Sequence, residues 1–514
     1  MSKTIIIIGA GLAGLSAALQ AAENGCNVKL VSSFPSERAQ SVMAEGGINA
    51  ALNTKDENDS PEEHFTDTIK AACGLADPNA VWGMTQAAPE LVHWLLKLGV
   101  QFNMIGYDDV DLRNFGGQKK KRTAFAQSDT GKQIMTAMID AVRRKEASGM
   151  VERFSHHSFL TLRLCGNICC GCVIRDEYSQ EIVELPGDAV IVASGGMHGL
   201  FGNTTGSLSN TGEVTAELFR LGVPLANGEM IQYHPTTVKC GGKRMLISEA
   251  ARGEGGRLFA MKDGKQWYFM EEKYPELGNL MPRDITAREI WKVSHESEVF
   301  LDMTEISEEI ISNKLSGLAD DCMTYLHKDI RKEPVSVLPG IHYFMGGILV
   351  DEQHRTPIQN LYAAGECCAQ YHGANRLGGN SLLGALYGGR VAAKSACEQA
   401  DVVDLSCATQ IDFPPASQIS EIKQLNKVMQ ETMGVVRNEN TLLNGIQTVQ
   451  ALTGNLPLLG MAVLKSALAR KESRGAHWRE DYPEYNNRDF LKTTVARFDG
   501  KKIQISFMSV PERR

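Results

Sequence analysis

Between Leu338 and Arg390 the chain sets His342, Glu366, His372 and Arg376 among glycines, LPGIHYFMGGILVDEQHRTPIQNLYAAGECCAQYHGANRLGGNSLLGALYGGR. A packed core has no use for two imidazoles, a carboxylate and a guanidinium in so short a stretch. Gly346, Gly347, Gly365, Gly373, Gly378 and Gly379 would weaken a plain helix or strand, yet they let backbone approach a bulky ligand. The combination reads as a place where a cofactor meets an anionic substrate.

The elements that must position such a site begin at the N-terminus. Thr4 to Gly9 is a short apolar run of the kind buried on both faces of a sheet, and GAGLAG follows with Gly9, Gly11 and Gly14 at GxGxxG spacing. A helical run over 15–24, Gly25 and a second strand, NVKLVS, complete a βαβ unit, the context that turns this spacing into a dinucleotide-binding fingerprint. The second strand ends in Ser32-Ser33, where an acid commonly binds a ribose. A serine hydroxyl can substitute, but an ordinary NAD site is disfavoured. Paired glycines recur at Gly46-Gly47 and in Ala193-Ser-Gly-Gly, which ends a strand expected near 188–193.

Residues 53–64, NTKDENDSPEEH, are expected to form a surface loop, and residues 76–99 a helix with Trp82, Met84, Leu91, Trp94 and Leu95 on its packed face. The basic run from Arg113 to Thr123 would ordinarily be solvated, although SDTGK just after it opens a helix over 130–145 and both could serve a ligand. From Met230 to Ile341 the glycine-punctuated βα rhythm weakens and polar residues mark element ends, which suggests an inserted cap. Residues 417–470 read as helix-rich and 471–514 as polar and charged.

The bulk properties agree with a globular protein of 514 residues, 43% hydrophobic and 22% charged. A net charge of -8 argues against a nucleic-acid partner. The first strand starts at once after Met1-Ser-Lys, and no apolar run approaches the roughly 18 residues of a membrane span. A cytoplasmic protein, at most peripheral on the cytoplasmic membrane face, is the expectation. The twelve cysteines then read as reduced thiols. Four of them, Cys165, Cys169, Cys170 and Cys172, fall on two strands expected over 158–164 and 168–175 with a turn at Gly166-Asn167. Neighbours on a strand point to opposite faces, so a metal or iron–sulfur cluster is not expected there.

GAGLAG, AEGGINAAL, FGGQKKKRTAFAQSDTG, QYHPTT, SEAARGEGG, PRDITARE, HYFMGGI, LYAAGE, GANRLGGNSLLGALYGGR and ARKESRGAH occur in the order found in flavoprotein subunits of succinate dehydrogenases and fumarate reductases. The chain resembles that family over nearly its whole length. The resemblance implies an α/β fold: a Rossmann-like FAD-binding domain (1–230 and 346–405), an inserted α+β capping domain (231–345), and a helical C-terminal region with a tail (406–514). It implies FAD, with Gly9, Gly11 and Gly14 at the pyrophosphate, Glu366 at the ribose of the adenosine, and Ala44, Glu45, Gly46, Gly47, Ser381 and Leu382 near the flavin. Ser32 joins this cofactor set from the strand pattern. His234, Ser248, His342 and Arg376 match the positions that grip a C4 dicarboxylate, serine standing where the family has threonine. Arg283 matches the proton donor, and Glu249 and Arg252 its relay.

The implied reaction is fumarate/succinate interconversion, favouring fumarate reduction, with electrons from a separate iron–sulfur subunit. Gln40 stands where many members carry a histidine bonded to the flavin, so the FAD is expected to be non-covalent. L-aspartate oxidase belongs to the same superfamily and is the alternative. Its members carry a glutamate where this chain has Phe115, which offers a substrate ammonium little. A flavin electron-transfer subunit with an idle site is the alternative of another class.

Overall fold

The computed structural model describes residues 2–400, 413 and 418–514. The expected boundary between 405 and 406 lies outside the described residues.

Thr4–Ile8 (β1), with its run of isoleucines, forms a strand whose Ile5, Ile6 and Ile7 are fully buried. Leu12–Glu23 (α1) follows, then Asn27–Ser32 (β2), parallel to β1. Val151–Ser155 (β3), Ala189–Val192 (β4) and Leu361–Ala363 (β5) complete a parallel sheet in the order β5, β4, β1, β2, β3. Successive residues of β1 face opposite sides. Ile5 and Ile7 pack with α1 and with Asn380–Gln399 (α2), while Ile6 and Ile8 pack under an antiparallel sheet of His157–Cys165, Ile168–Asp176 and Ile182–Pro186. The chain leaves β1 for β2 on one side and reaches β4 on the other. The C-terminal ends of β1 and β4 therefore open a crevice of the kind where α/β sheets bind ligands.

The hairpin turn does fall at Gly166-Asn167. Cys169 and Cys172 pack into the core beneath the main sheet, and the Cys170 thiol turns to Arg163 O. Ten cysteines are free thiols among the described residues, and Cys165 is disulfide-bonded, unlike the expectation of thiols throughout.

Within 231–345, Ile231–Cys240 pairs antiparallel with Lys243–Leu246 and Leu338–Phe344. A second sheet of Arg257–Lys262, Lys265–Trp267, Val299–Asp302 and Val335–Ser336 encloses its own core. The helix Arg283–Val293 packs on the first of these sheets, which brings its first residue to the crevice.

The sequence reading is corrected at three further places. Residues 53–64 are not all surface loop: Pro61–Ala71 is a helix, and His64 is buried with Nε2 at 2.9 Å from Asn380 Oδ1. The basic run pins this segment down. Arg122 is fully buried between Asp59 (2.8 Å) and Asp67 (2.9 Å), and Lys121 donates its backbone N–H to Glu57. Finally, the closing polar segment is partly sheet. Three helices, Ile419–Thr432, Glu439–Val449 and Asn455–Ala469, share one apolar core. After them Lys492–Phe498 and Ile503–Ser509 form a hairpin that joins Leu225–Ala226, Gly347–Leu349 and Cys368–Ala369 in a five-stranded sheet. Only Thr494, Val495 and Ala496 of the first hairpin strand are fully buried, so its lysine and arginine neighbours hid the strand. No helix among the described residues is long and apolar enough to cross a membrane.

Candidate active site

A cavity of about 610 Å³ runs from the ends of β1, β2 and β4 to the cap. Of the residues singled out in the sequence, Gly9, Gly11, Ser32, Ala44 to Gly47, Glu366, Ser381 and Leu382 line it on the α/β side, and His234, Ser248, Glu249, Arg283, His342 and Arg376 line it toward the cap. Gly14 and Arg252 stand behind the wall.

The three glycines of the fingerprint have different reasons. A Cβ on Gly9 would lie 2.2 Å from Ala193 O, and one on Gly14 would lie 1.8 Å from Gly9 O, so both serve close packing of strand and helix. A Cβ on Gly11 would meet no protein atom nearer than 3.8 Å. Protein packing leaves that space free, at the start of α1, which has no capping side chain and where the helix dipole favours an anion. Two buried polar atoms on this side, Ser32 Oγ and Glu45 Oε2, have no protein partner. A glycine-floored cradle with orphaned donors and acceptors fits an extended dinucleotide.

Glu366 sits just beyond β5, three positions from β2 in the sheet, and accepts from Phe344 N at 3.1 Å, with His198 Nε2 at 3.6 Å. Gln40 Oε1 accepts from Ser207 N at 2.5 Å. Phe115 is buried against Gly46 and Gly378.

At the cap end Ser248 is the N-cap of the short helix Glu249–Gly253, and its hydroxyl accepts from Ala250 N. That turn delivers Glu249 into the site. Arg283 donates to Glu249 Oε2 from Nε (2.8 Å) and Nη2 (2.6 Å), while Glu249 Oε1 accepts from Arg252 Nη2 and from Gly116 N, each at 3.2 Å. Arg283, Glu249 and Arg252 are all nearly inaccessible to solvent. Burial pushes the Glu249 carboxyl up, but Arg283 and Arg252 outweigh it and hold the group below the usual carboxylate range. Burial lowers Arg252 as well.

His234 and His342 pack edge to face with centroids 5.1 Å apart. His234 Nδ1 is fixed beside Thr236, and His342 Nδ1 is 2.8 Å from Thr205 Oγ1. Burial first, then Arg283, holds both imidazoles well below their usual range, so they stay neutral at physiological pH. Arg376 lies over the Tyr343 ring at 4.3 Å with Nε unpartnered, and burial lowers it to about 9. Three guanidiniums around one ionised carboxylate leave an excess of positive charge that suits a dianion. Burial raises Glu45 to about 8, with Asp321 adding to the effect and Arg113 opposing it.

The sequence reading missed two residues. Gln232, fully buried, accepts from Arg283 Nη1 (3.1 Å) and donates to Arg376 O (2.8 Å) and Asn375 Oδ1 (3.0 Å), linking the two arginines. Its place two residues before His234 on one strand was the available signal. Thr205 comes from a loop that carried none.

A model of an FAD binding domain matches residues 4–382, and one of the fumarate reductase flavoprotein C-terminus matches residues 453–513. The chain is 39% identical to the succinate dehydrogenase flavoprotein subunit of Bacillus subtilis (strain 168), over 96% of this chain and 94% of that one. It is 32% identical to an L-aspartate oxidase of Pyrococcus furiosus, over 96% and 99%. A solved structure of a mutant E. coli quinol fumarate reductase FrdA is similar with a TM-score of 0.90 at 27% identity, covering 99% of this chain and 97% of that one.

Proposed function

We propose, from the premise that the chain belongs to the succinate dehydrogenase/fumarate reductase family of flavoprotein oxidoreductases, that it interconverts fumarate and succinate and works mainly as a fumarate reductase. The carrying observation is Arg283 at the cavity wall with two nitrogens on Glu249, whose other oxygen meets Arg252. FAD, when bound, supplies a hydride donor at flavin N5.

In this reading Gly9, Gly11 and the start of α1 hold the pyrophosphate, while Ala44 to Gly47, Ser381 and Leu382 surround the ring. Glu366, three strands from β2, suits the sugar-alcohol chain beside the flavin better than the adenosine ribose, which leaves Ser32 for the latter. Arg376, His234, His342 and Ser248 hold the two carboxylates, neutral imidazoles donating hydrogen bonds without cancelling the arginine charge. Arg283 gives a proton to the substrate carbon opposite the hydride and takes one back through Glu249 and Arg252. Removal of water by the buried cap strengthens each of these contacts.

Gln40 has no ring nitrogen to bond a flavin, so the FAD is non-covalent and acid precipitation releases all of it; yellow protein pellets would overturn this. A flavin without the histidyl link holds electrons less tightly, which favours fumarate reduction. The electrons come from an iron–sulfur partner, through which the chain associates with the cytoplasmic face of a membrane.

The test is anaerobic oxidation of reduced viologen by the FAD-loaded chain with fumarate, alongside L-aspartate-dependent peroxide formation. Fumarate turnover without peroxide supports the reductase. Peroxide from aspartate would show an oxidase, the reading that the Pyrococcus furiosus relative favours and Phe115 opposes. Turnover of neither would leave an electron-transfer subunit.

A further inference from the structure

α1 and α2 lie against one another, their first residues at the cavity and their last turns at a separate surface recess. Gly25, at φ +78°, turns the chain after α1 so that Cys26 leads into β2, and Cys397 occupies the last turn of α2. Their sulfurs, 371 residues apart in sequence, are 2.9 Å from each other. A disulfide needs about 2.05 Å, so the gap closes with about 1 Å of movement. Cys26 is 5% exposed, whereas Cys397 is part-exposed in a surface recess with Gln20, Asn24, Lys394 and Glu398. Lys3 holds this end of α2 through a 2.7 Å bond from Nζ to Cys397 O.

We propose that Cys26 and Cys397 form a dithiol that a small disulfide such as oxidised glutathione converts to an intramolecular disulfide. Cys397 is the entry thiol because it alone faces the recess. Its thiolate attacks one sulfur of the small disulfide, whose S–S bond breaks, and the first small thiol leaves with the proton that Cys397 gave up. Cys26 then attacks the Cys397 sulfur, the mixed disulfide breaks, and the second small thiol leaves with the Cys26 proton. Two electrons pass from the two cysteines to the small disulfide, which ends as two thiols.

Burial first, then the Cys26 thiol, raises Cys397 to about 12, against the pull of Lys3. Few thiolates exist at neutral pH, so the entry step is slow there and quickens as pH rises. Lys394 and Glu398 flank the recess from the same helix. The product ties the start of β2 to the far end of the helix whose first turn carries Ser381 and Leu382. Closing so long a loop restricts the unfolded chain and stabilises the fold.

The experiment uses the reduced, FAD-loaded chain and oxidised glutathione at mildly alkaline pH, followed by alkylation and peptide mass mapping. The expected result is loss of the Cys26 and Cys397 thiols as a crosslink between them, a higher melting temperature, and full reversal by dithiothreitol. Cys26→Ser should stop with one glutathione on Cys397, and Cys397→Ser should leave Cys26 unmodified. The proposal is overturned if wild-type Cys26 and Cys397 are both still alkylated under conditions that load glutathione onto Cys397 in Cys26→Ser. It is equally overturned if that variant takes no glutathione at Cys397. Neither outcome depends on the reaction at the flavin site.

Discussion

At the scale of single residues, the proposed proton donor Arg283 and the buried carboxyl of Glu45, which line the same cavity, make separable demands. Arg283→Lys keeps a positive charge but cannot place two nitrogens on Glu249 while a third reaches Gln232. A general acid contributes about 10²–10⁴-fold, so viologen-linked fumarate turnover should fall by about that factor with KM little changed. Unchanged turnover would remove Arg283 from the role. Glu45 makes a different prediction. Held protonated up to about 8 by burial, it keeps a proton that the unfolded chain releases near the ordinary value of 4.5. The unfolded state therefore binds fewer protons between those values, and stability falls as pH rises, by about 1 kcal/mol per unit. Glu45→Gln preserves the shape and removes the titration. Its melting temperature should gain steadily on the wild type from about pH 5 to about pH 7, and parallel curves would contradict the burial of that carboxyl.

At the scale of elements, the loop carrying Arg376 is clamped from two sides. Ala374 donates to Ala72 O (3.0 Å) at the end of the Pro61–Ala71 helix, and Ala374 O accepts from Ala476 N (2.9 Å) in the closing region. Gly475, at φ +54°, makes this possible: a Cβ there would lie 2.5 Å from Ala374 O. Gly475→Ala should push the loop and misplace the Arg376 guanidinium. If Arg376 anchors a substrate carboxylate as proposed, that contact is shared by ground and transition states, and KM for fumarate should rise by about 10- to 100-fold while kcat holds. A fall in kcat at constant KM would show that the loop serves the chemistry instead. How much of this was readable varies with the range of the contact. The βαβ fingerprint is a local pattern and stands where the spacing put it, whereas His234-Pro-Thr, which reads as an element end, lies inside the strand Ile231–Cys240. The Arg122 clamp depends on Asp59, 63 residues away, and a run of lysines beside it looked like solvated surface. The closing hairpin is stabilised by Leu225–Ala226, more than 260 residues earlier, which no local window contains.

At the scale of the whole molecule, that hairpin makes the C-terminal region part of one structure with the α/β domain. Arg470 is the joint. Fully buried, it bonds Glu229 (2.7 Å), Glu472 (2.8 Å), Phe490 O, Lys492 O and Thr494 Oγ1, which places one guanidinium between the end of the Asn455–Ala469 helix, the hairpin and the segment entering the His234 strand. Thr494 also donates to Glu229, and Asn227 N donates to Thr494 O. Arg470→Met leaves a buried carboxylate without the cation that touches it, a change that typically costs about 3–5 kcal/mol. That is a large share of the 5–15 kcal/mol that roughly spans the stability of native proteins. If the strands of the shared sheet can only separate together, the variant should unfold at a lower urea concentration in a single transition, with flavin release and loss of circular dichroism coinciding. Hairpin exposure, followed by limited proteolysis after Leu491, should track the same curve. Cleavage appearing while flavin is still bound would make the closing region a separate cooperative unit, and the Arg376 loop would then have to hold its position without the Gly475 turn behind it.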